Sequence, residues 1–392
     1  MKMMIAVLMA IAPAASAQIC PDPLFAPPVD YTVGSGPFQV VAGDLNGDGR
    51  TDLAVTNDLS HSVSILLGAG NGTVATAPLV NAGSNSRSVA IGDFNGDNRA
   101  DLAVANAGSS NVMIFLGNGN GTFAAPATIP LAGNPFFIAT ADFNGDNRLD
   151  LVTANFTANN VSVLLGNGDG TFAAPANFPV AGTGPFSIAV ADFNGDTRLD
   201  LAVADQTSNN VSVLLGNGAG SFGAATPFPA GNFPGIVVAT DFNGDGRADL
   251  AVANFGSPVA VLIGTGTGSF GPTGFVGSSG TDGLAAADVN ADVLVDLVVP
   301  NFIANTLSVF FGDGTGNFSG SANFAVGTNP KSVAIADFNG DGRLDAAMAN
   351  YTSGTVSILL SQCASVPALS PLAMVVLALA LALGGVIALG KR

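Results

Sequence analysis

The chain has 392 residues and a formal charge of −17, yet charged residues make up only 10% of it. Its 28 acidic residues are all Asp and face just 11 Lys and Arg, which argues against a nucleic-acid partner, since that needs a basic surface. Abundant Gly (51), 22 Pro and no Trp suit many short strands joined by tight turns, and so an all-β chain.

Taken in chain order, residues 1–17 read as a secretory signal. Lys2 is followed by an apolar run from Met3 to Ala12, and Ala15, Ser16 and Ala17 form a small-residue cleavage site. The run is too short to span a bilayer. Residues 18–24 are a lead-in that carries Cys20, and residues 25–362 hold an internal repeat.

The repeat is marked by a nine-residue acidic loop, which occurs seven times with starts 49, 49, 50, 49, 47 and 49 residues apart. A fixed period near 50 means stacked copies of one supersecondary unit, a propeller or a solenoid. The third copy shows the unit: a strand over 136–141, the acidic loop over 142–150, strands over 151–154 and 161–165, a glycine turn over 166–171, and an irregular strand over 172–181. Pro175 and Pro179 cannot donate to a ladder, which puts that last strand at an edge. Four antiparallel strands per unit predict a seven-bladed β-propeller.

The ends of the array favour a closed ring over a solenoid, which would need capping repeats. The seventh unit stops after its third strand, and the missing fourth strand matches residues 25–33 (FAPPVDYTV beside FAAPANFPV at 172–180). The N-terminal strand is therefore expected to complete the last blade. Cys20 and Cys363 fall where the missing turn of that blade would be, and in an exported chain they are expected to pair.

The acidic loop has the ligand spacing of a calcium site, with oxygen donors at positions 1, 3, 5 and 9 and a backbone carbonyl at 7. In the first copy these are Asp44, Asn46, Asp48, Asp52 and the carbonyl of Arg50. The same places hold Asp93, Asn95, Asp97, Arg99 and Asp101, then Asp142, Asn144, Asp146, Arg148 and Asp150, then Asp192, Asn194, Asp196, Arg198 and Asp200. They recur as Asp241, Asn243, Asp245, Arg247 and Asp249, and as Asp337, Asn339, Asp341, Arg343 and Asp345. At position 6, Gly and Asn tolerate positive φ whereas Thr197 in the fourth copy and above all Val293 in the sixth do not; the sixth copy keeps Asp288, Asn290, Asp292 and Asp296 but also has Ala291 and Leu294 where the others have Gly and Arg, and it is expected to be the weakest site. Position 12 is apolar, Val55 in the first copy, so the loop is a hairpin site and not an EF-hand. Three Asp per loop account for 21 of the 28 acidic residues, and with one Arg in six of the loops their net charge is −15, which seven divalent cations would nearly cancel. The alternative is a set of Asx-turns satisfied without metal.

These loops, with their GNGDGTF-type turns, resemble the FG-GAP-like (VCBS-type) repeats that build the seven-bladed heads of integrin α chains. The resemblance covers residues 25–362 and implies calcium in the hairpin between the first and second strands of each blade. It fixes no ligand, because many functions share one fold.

Antiparallel connectivity puts the acidic loops and glycine turns on one face. The opposite face collects the turns between second and third strands, which vary from copy to copy. There Phe156, Phe255, Phe302 and Tyr351 recur, with Arg87 and Lys331 as its basic residues, and this is the expected ligand face for a surface protein or glycan. The alternative is that its aromatics wedge between blades. His61, the one His, shares a turn with Asp58 and is the candidate for acid–base chemistry under a rival enzyme reading; a purely architectural role is a third.

The chain closes with a linker and motif over 363–371 and an uncharged apolar stretch within 372–392, tipped by Lys391 and Arg392. Val366-Pro367-Ala368-Leu369 before that stretch resembles the Ile-Pro-Thr-Leu motif of bacterial sorting tails, which implies an exosortase-like protease as partner; a retained single-pass anchor is the alternative.

Overall fold

The computed structural model describes residues 24–277, 280–281 and 283–362. The expected signal segment, the pairing of Cys20 with Cys363, the sorting motif and the apolar C-terminal stretch lie outside the described residues. Among the described residues no helix is long and apolar enough to cross a membrane.

Seven antiparallel sheets follow one another, each a blade of four strands ordered from an inner strand outward. In blade 3 the strands are Pro135–Ala141, Asp150–Asn155, Asn160–Leu164 and Ala176–Pro179. Blade 1 carries a split outer strand, Val74–Thr76 and Val80–Asn81. Second strands such as Asp150–Asn155 and Asp200–Asp205 are buried at every residue, and between their polar ends they are largely apolar without alternation because both sheet faces are covered by neighbouring blades. Outer strands such as Ala176–Pro179 are mostly exposed, and their prolines stand at a sheet edge where no further ladder bond is required.

The ring closes as the sequence implies. Val29–Thr32 pairs antiparallel with Thr355–Leu359, so Tyr31 lies opposite Val356, and Leu24–Phe25 pairs with Ser361–Gln362. The Ser357 hydroxyl donates to Asp30 Oδ1 at 2.6 Å across this seam. The core is distributed as seven apolar clusters, one at each blade-to-blade interface. The cluster joining blade 7 to blade 1 (Val356, Ile358 and Phe338 against Val40, Leu53 and Leu66) is as buried as the rest. A solenoid would leave that interface open; here it is packed.

The acidic loops are tied into these interfaces. Their second residue is buried between blades: Leu45, Phe94, Phe143, Phe193, Phe242, Val289 and Phe338. In blades 3 to 6 the Phe that ends the glycine turn packs edge-on against the loop Phe of the preceding blade, as Phe172 does on Phe94 and Phe222 on Phe143, both at 5.7 Å between centroids. A glycine of the same turn donates its N–H to the carbonyl of that loop residue, Gly170 to Phe94 at 2.9 Å and, across the closure, Gly72 to Phe338 at 2.9 Å.

Candidate functional site

The acidic loops are built alike. Asp44 Oδ1 accepts the N–H groups of Asn46, Gly47 and Asp48 at 3.3, 2.7 and 3.2 Å, and Oδ2 accepts that of Gly49 at 2.8 Å. Asn46 Oδ1 accepts from Asp48 N at 2.9 Å, and Asp48 Oδ1 from Arg50 N at 2.9 Å. The sixth residue has positive φ in every copy, including Thr197 and Val293 at 68°, as the turn predicts. The Arg of position 7 reaches back to position 5 loosely, Arg50 Nη1 lying 3.9 Å from Asp48 Oδ2. In the sixth loop Asp288 is held by the N–H groups of Asp292 and Val293, where Asp44 is held by four.

The position-9 carboxylate has a further structural duty. Asp52 is fully buried; its Oδ2 accepts Leu45 N–H at 2.9 Å and its Oδ1 accepts Gly68 N–H at 2.7 Å. Asp101, Asp150, Asp200, Asp249, Asp296 and Asp345 repeat the arrangement, clamping the start of the loop to the end of the third strand. Burial raises the pKa of each, with the negative charges at positions 5 and 1 adding to it, and lifts Asp296 and Asp345 to about 6. Spacing alone could not separate this role from ligation, because one carboxylate suits both. Among the described residues no three His, Cys, Asp or Glu side chains converge as a ready metal cage. The donor chemistry at positions 1, 3, 5 and 9 nonetheless fits a hard cation: every side-chain donor is oxygen, and the nearest basic group is a long, half-exposed contact.

The opposite face is different in kind. The inner strands line a central channel of about 490 Å³, which opens into an outer cup of about 470 Å³. The register of the inner strand slips at its first turn in six blades, between Pro37 and Gln39, Ser86 and Ser88, Pro135 and Phe137, Pro185 and Ser187, Pro234 and Val237, and Pro330 and Ser332. A bulge re-aims the extra residue, and five of these residues, Phe38, Arg87, Phe136, Phe186 and Lys331, line both the channel and the cup. They form the waist between the two spaces.

The waist is a run of cations and rings. The Arg87 guanidinium lies 4.1 Å from the Phe136 ring centre and 4.9 Å from Phe38. Lys331 Nζ lies 4.9 Å from Phe38, 4.8 Å from Phe302 and 5.4 Å from Tyr351. Asp58, nearly buried, sits 3.5 Å from Arg87 Nε and accepts from Asn85 Nδ2 at 3.0 Å and from the Tyr351 hydroxyl at 3.4 Å. Burial, and then the Asp58 charge, raise the Tyr351 pKa.

The expected ligand-face residues thus gather at this cup, with one exception. Arg87, Phe255, Phe302, Lys331 and Tyr351 line it, whereas Phe156 stacks on Phe136 at 4.5 Å as a supporting ring. The sequence reading overlooked Phe38, Phe136, Phe186 and Phe233; a column-by-column comparison of the repeats six residues before each loop would have found the first three. The His61–Asp58 side-chain pair is not formed. His61 Nδ1 accepts the Asn85 N–H at 3.0 Å and lies 3.0 Å from the Asp58 carbonyl, while the Asp58 carboxylate serves Arg87, Asn85 and Tyr351.

A closed ring of seven blades with an acidic loop at the same corner of each defines the class: a repeat-built β-propeller. The chain belongs to the FG-GAP-like repeat family, whose model matches residues 44–104, 93–153, 142–203, 192–252, 241–299 and 288–348. No curated protein sequence matches it. Among solved structures it is similar to the BP39L lectin from Burkholderia pseudomallei, with 19% identity, TM-score 0.63, and 84% of this chain and 97% of that one covered. It is similar also to BBS1N, solved in complex with ARL6DN, at 15% identity and TM-score 0.62 over 87% of this chain and 98% of that one. A third is a lectin of the fungus Agrocybe aegerita that recognises non-reducing terminal N-acetylglucosamine, at 20% identity and TM-score 0.54 over 84% and 96%. These likenesses concern the fold.

Proposed function

We propose that the chain is an exported binding module whose seven VCBS-type acidic loops hold structural calcium, and whose outer cup takes a surface protein or glycan. The observation that carries this reading is a group of large exposed apolar side chains on the cup face, four of the nine such residues among those described. Phe233 and Phe255 line the cup at 55% and 41% exposure, and Leu59 and Ile303 stand in the turns of the same face. Exposed apolar side chains clustered on one face mark an interaction site rather than a scaffold requirement. Lectins and a protein-bound domain among the structural neighbours support a glycan or protein ligand. The C-terminal segment would tether the module or present it to an exosortase-like sorting protease.

The test is binding of the full chain to a glycan array and to intact bacterial surfaces. Phe233→Ala with Phe255→Ala should weaken saturable binding by about tenfold or more, the loss expected of a buried aromatic contact. Glycine-turn changes on the acidic face, such as Asp169→Asn, should leave it intact. Saturable binding indifferent to the cup variants would overturn the reading.

A further inference from the structure

Each blade meets solvent at the free edge of its outer strand, and six of the seven blunt that edge alike. Proline stands in the outer-strand stretch of blades 1 to 5 and 7, as Pro78, Pro126, Pro175, Pro227, Pro272 and Pro27. None of those outer strands runs beyond four residues. Short length and proline both keep an edge from pairing with another chain. Blade 6 has neither device. Its outer strand, Phe318–Ala325, is eight residues long and carries no proline and no charge. Among the described residues no further strand pairs with it. Against FAAPANFP at 172–179 in blade 3 it reads FSGSANFA, with Ser321 and Ala325 in place of Pro175 and Pro179. Leu131, Val180 and Ala230 donate their N–H groups inward, to the carbonyls of Ser110, Asn159 and Asn209 at 2.9, 3.2 and 3.3 Å. Alternation along an antiparallel strand turns the preceding residue outward, and there blades 2, 3 and 4 hold Pro130, Pro179 and Pro229, which have no N–H to offer. Val326 donates inward to Asn305 in the same way at 3.1 Å, but the residue before it is Ala325. The N–H of Ala325, and that of Asn323 two residues earlier, therefore face away from the blade.

We propose that this edge pairs antiparallel with the same edge of a second copy of the chain, joining two propellers about a twofold axis at Asn323. The register follows from the outward groups. With Asn323 opposite itself, Ala325 meets Ser321, and the outward N–H groups of Asn323 and Ala325 enter the new ladder. Phe324 of each copy then lies across from Ala322 of the other, so a ring faces a methyl group and not a second ring. The bulge at Gly320, with φ at 62° and a register slip between Val309 and Phe311, bends the strand ahead of this stretch and confines the pairing to its second half. Charge permits the approach: 21 of the 28 acidic residues lie in the acidic loops and none in 318–325. A chain with one open edge closes as a dimer and leaves no edge for a third copy. The contact lies on the rim and not in the cup, so it goes beyond the surface ligand and stands without it.

The test is sedimentation equilibrium of the full-length chain in detergent over a wide range of concentration. The native chain should show a reversible monomer–dimer equilibrium. Ala325→Pro, which restores the residue of blades 2 to 4, should weaken it by about tenfold or more, because a ladder bond is lost on each side of the axis. The melting temperature of that variant should stay where it was. Asn323→Cys should give an oxidised dimer on a non-reducing gel, since hydrogen-bonded partners lie about 5.5 Å apart at Cα, within disulfide reach. Asn177 holds the same place in blade 3 and, like Asn323, accepts from a serine of the third strand, Ser162 for Asn177 and Ser308 for Asn323. Asn177→Cys should give no dimer above the native background. If Ala325→Pro fails to fold, the two cysteine variants still decide. A dimer that ignores Ala325→Pro, or cysteine variants that behave alike, would overturn the proposal. A chain that stays monomeric would overturn it too; slow hydrogen exchange at Asn323 and Ala325 in that monomer would assign the edge to the chain's own terminal segments.

Discussion

The two faces of the propeller are made by the same seven repeats and obey different rules. On the acidic face each blade repeats its neighbour almost atom for atom, with Asp52 and its counterparts making the same two backbone bonds in all seven copies. On the cup face the bulge residues and turns differ blade by blade. The acidic face is fastened into every blade interface through its buried second residue, so a change there disturbs the ring. The cup face hangs from the ends of the strands and is free to diverge. Stability should therefore respond chiefly to the first face and recognition to the second.

The largest expected effect is calcium removal. At ~1 mM calcium and a dissociation constant of ~0.1 mM, each loop would add ~1.4 kcal/mol, and six loops ~8 kcal/mol. Calorimetric scans with and without chelator should differ by about 10 °C or more. An unchanged melting temperature would break the assignment of stability to the acidic face and leave the loops as hydrogen-bonded turns.

A smaller effect comes from one blade that departs from its siblings in the core. Asn57, Asn155, Asn301 and Asn350 close their second strands by donating Nδ2 to a buried Ser hydroxyl of the next strand. Blade 4 has Asp205, which instead accepts from Ser212 and is pushed by burial to about 7. The folded state therefore keeps a proton that the unfolded chain releases near pH 4, so this group's contribution to stability is full below that pH and is lost as pH rises toward about 7. Asp205→Asn should stabilise the protein by about 2–4 kcal/mol at about pH 8 and by almost nothing at about pH 4, read by urea unfolding of both forms. A gain independent of pH would contradict the buried-proton account.

Next is the sixth loop. Val293 holds φ at 68° with its side chain 89% exposed, so the strain of a β-branched residue there is offset by no packing. Val293→Gly should raise stability by about 1 kcal/mol. The smallest stability effect belongs to the cup. Phe255→Ala should change stability by about 1 kcal/mol or less while weakening ligand binding, and unfolding instead would mean that the rings brace the blades.

The strands, their order and the closing strand were legible because period, proline and glycine punctuate the repeat and because the missing fourth strand of blade 7 reappears before blade 1. The waist was not. Arg87 and Lys331 stood out by charge, but Phe38, Phe136 and Phe186 look like ordinary strand residues, since a bulge is a feature of pairing geometry and leaves no composition of its own. Asp52 was legible as a functional carboxylate, yet its inward turn onto Leu45 and Gly68 depends on where the third strand ends, which the loop does not encode.

The seam also sets an order of assembly. Six blades pair strands within one repeat of the chain, so each can form as its segment becomes available. The seventh pairs Tyr31 with Val356 and must gather segments from both ends of the array. Closing so long a loop is entropically slow. During synthesis, six blades would stand in place with the outer edge of the third strand, Thr355–Leu359, open until the N-terminal strand docks. Folding should therefore show a late step confined to this seam, and a chaperone or a second copy of the chain would find its exposed edge there.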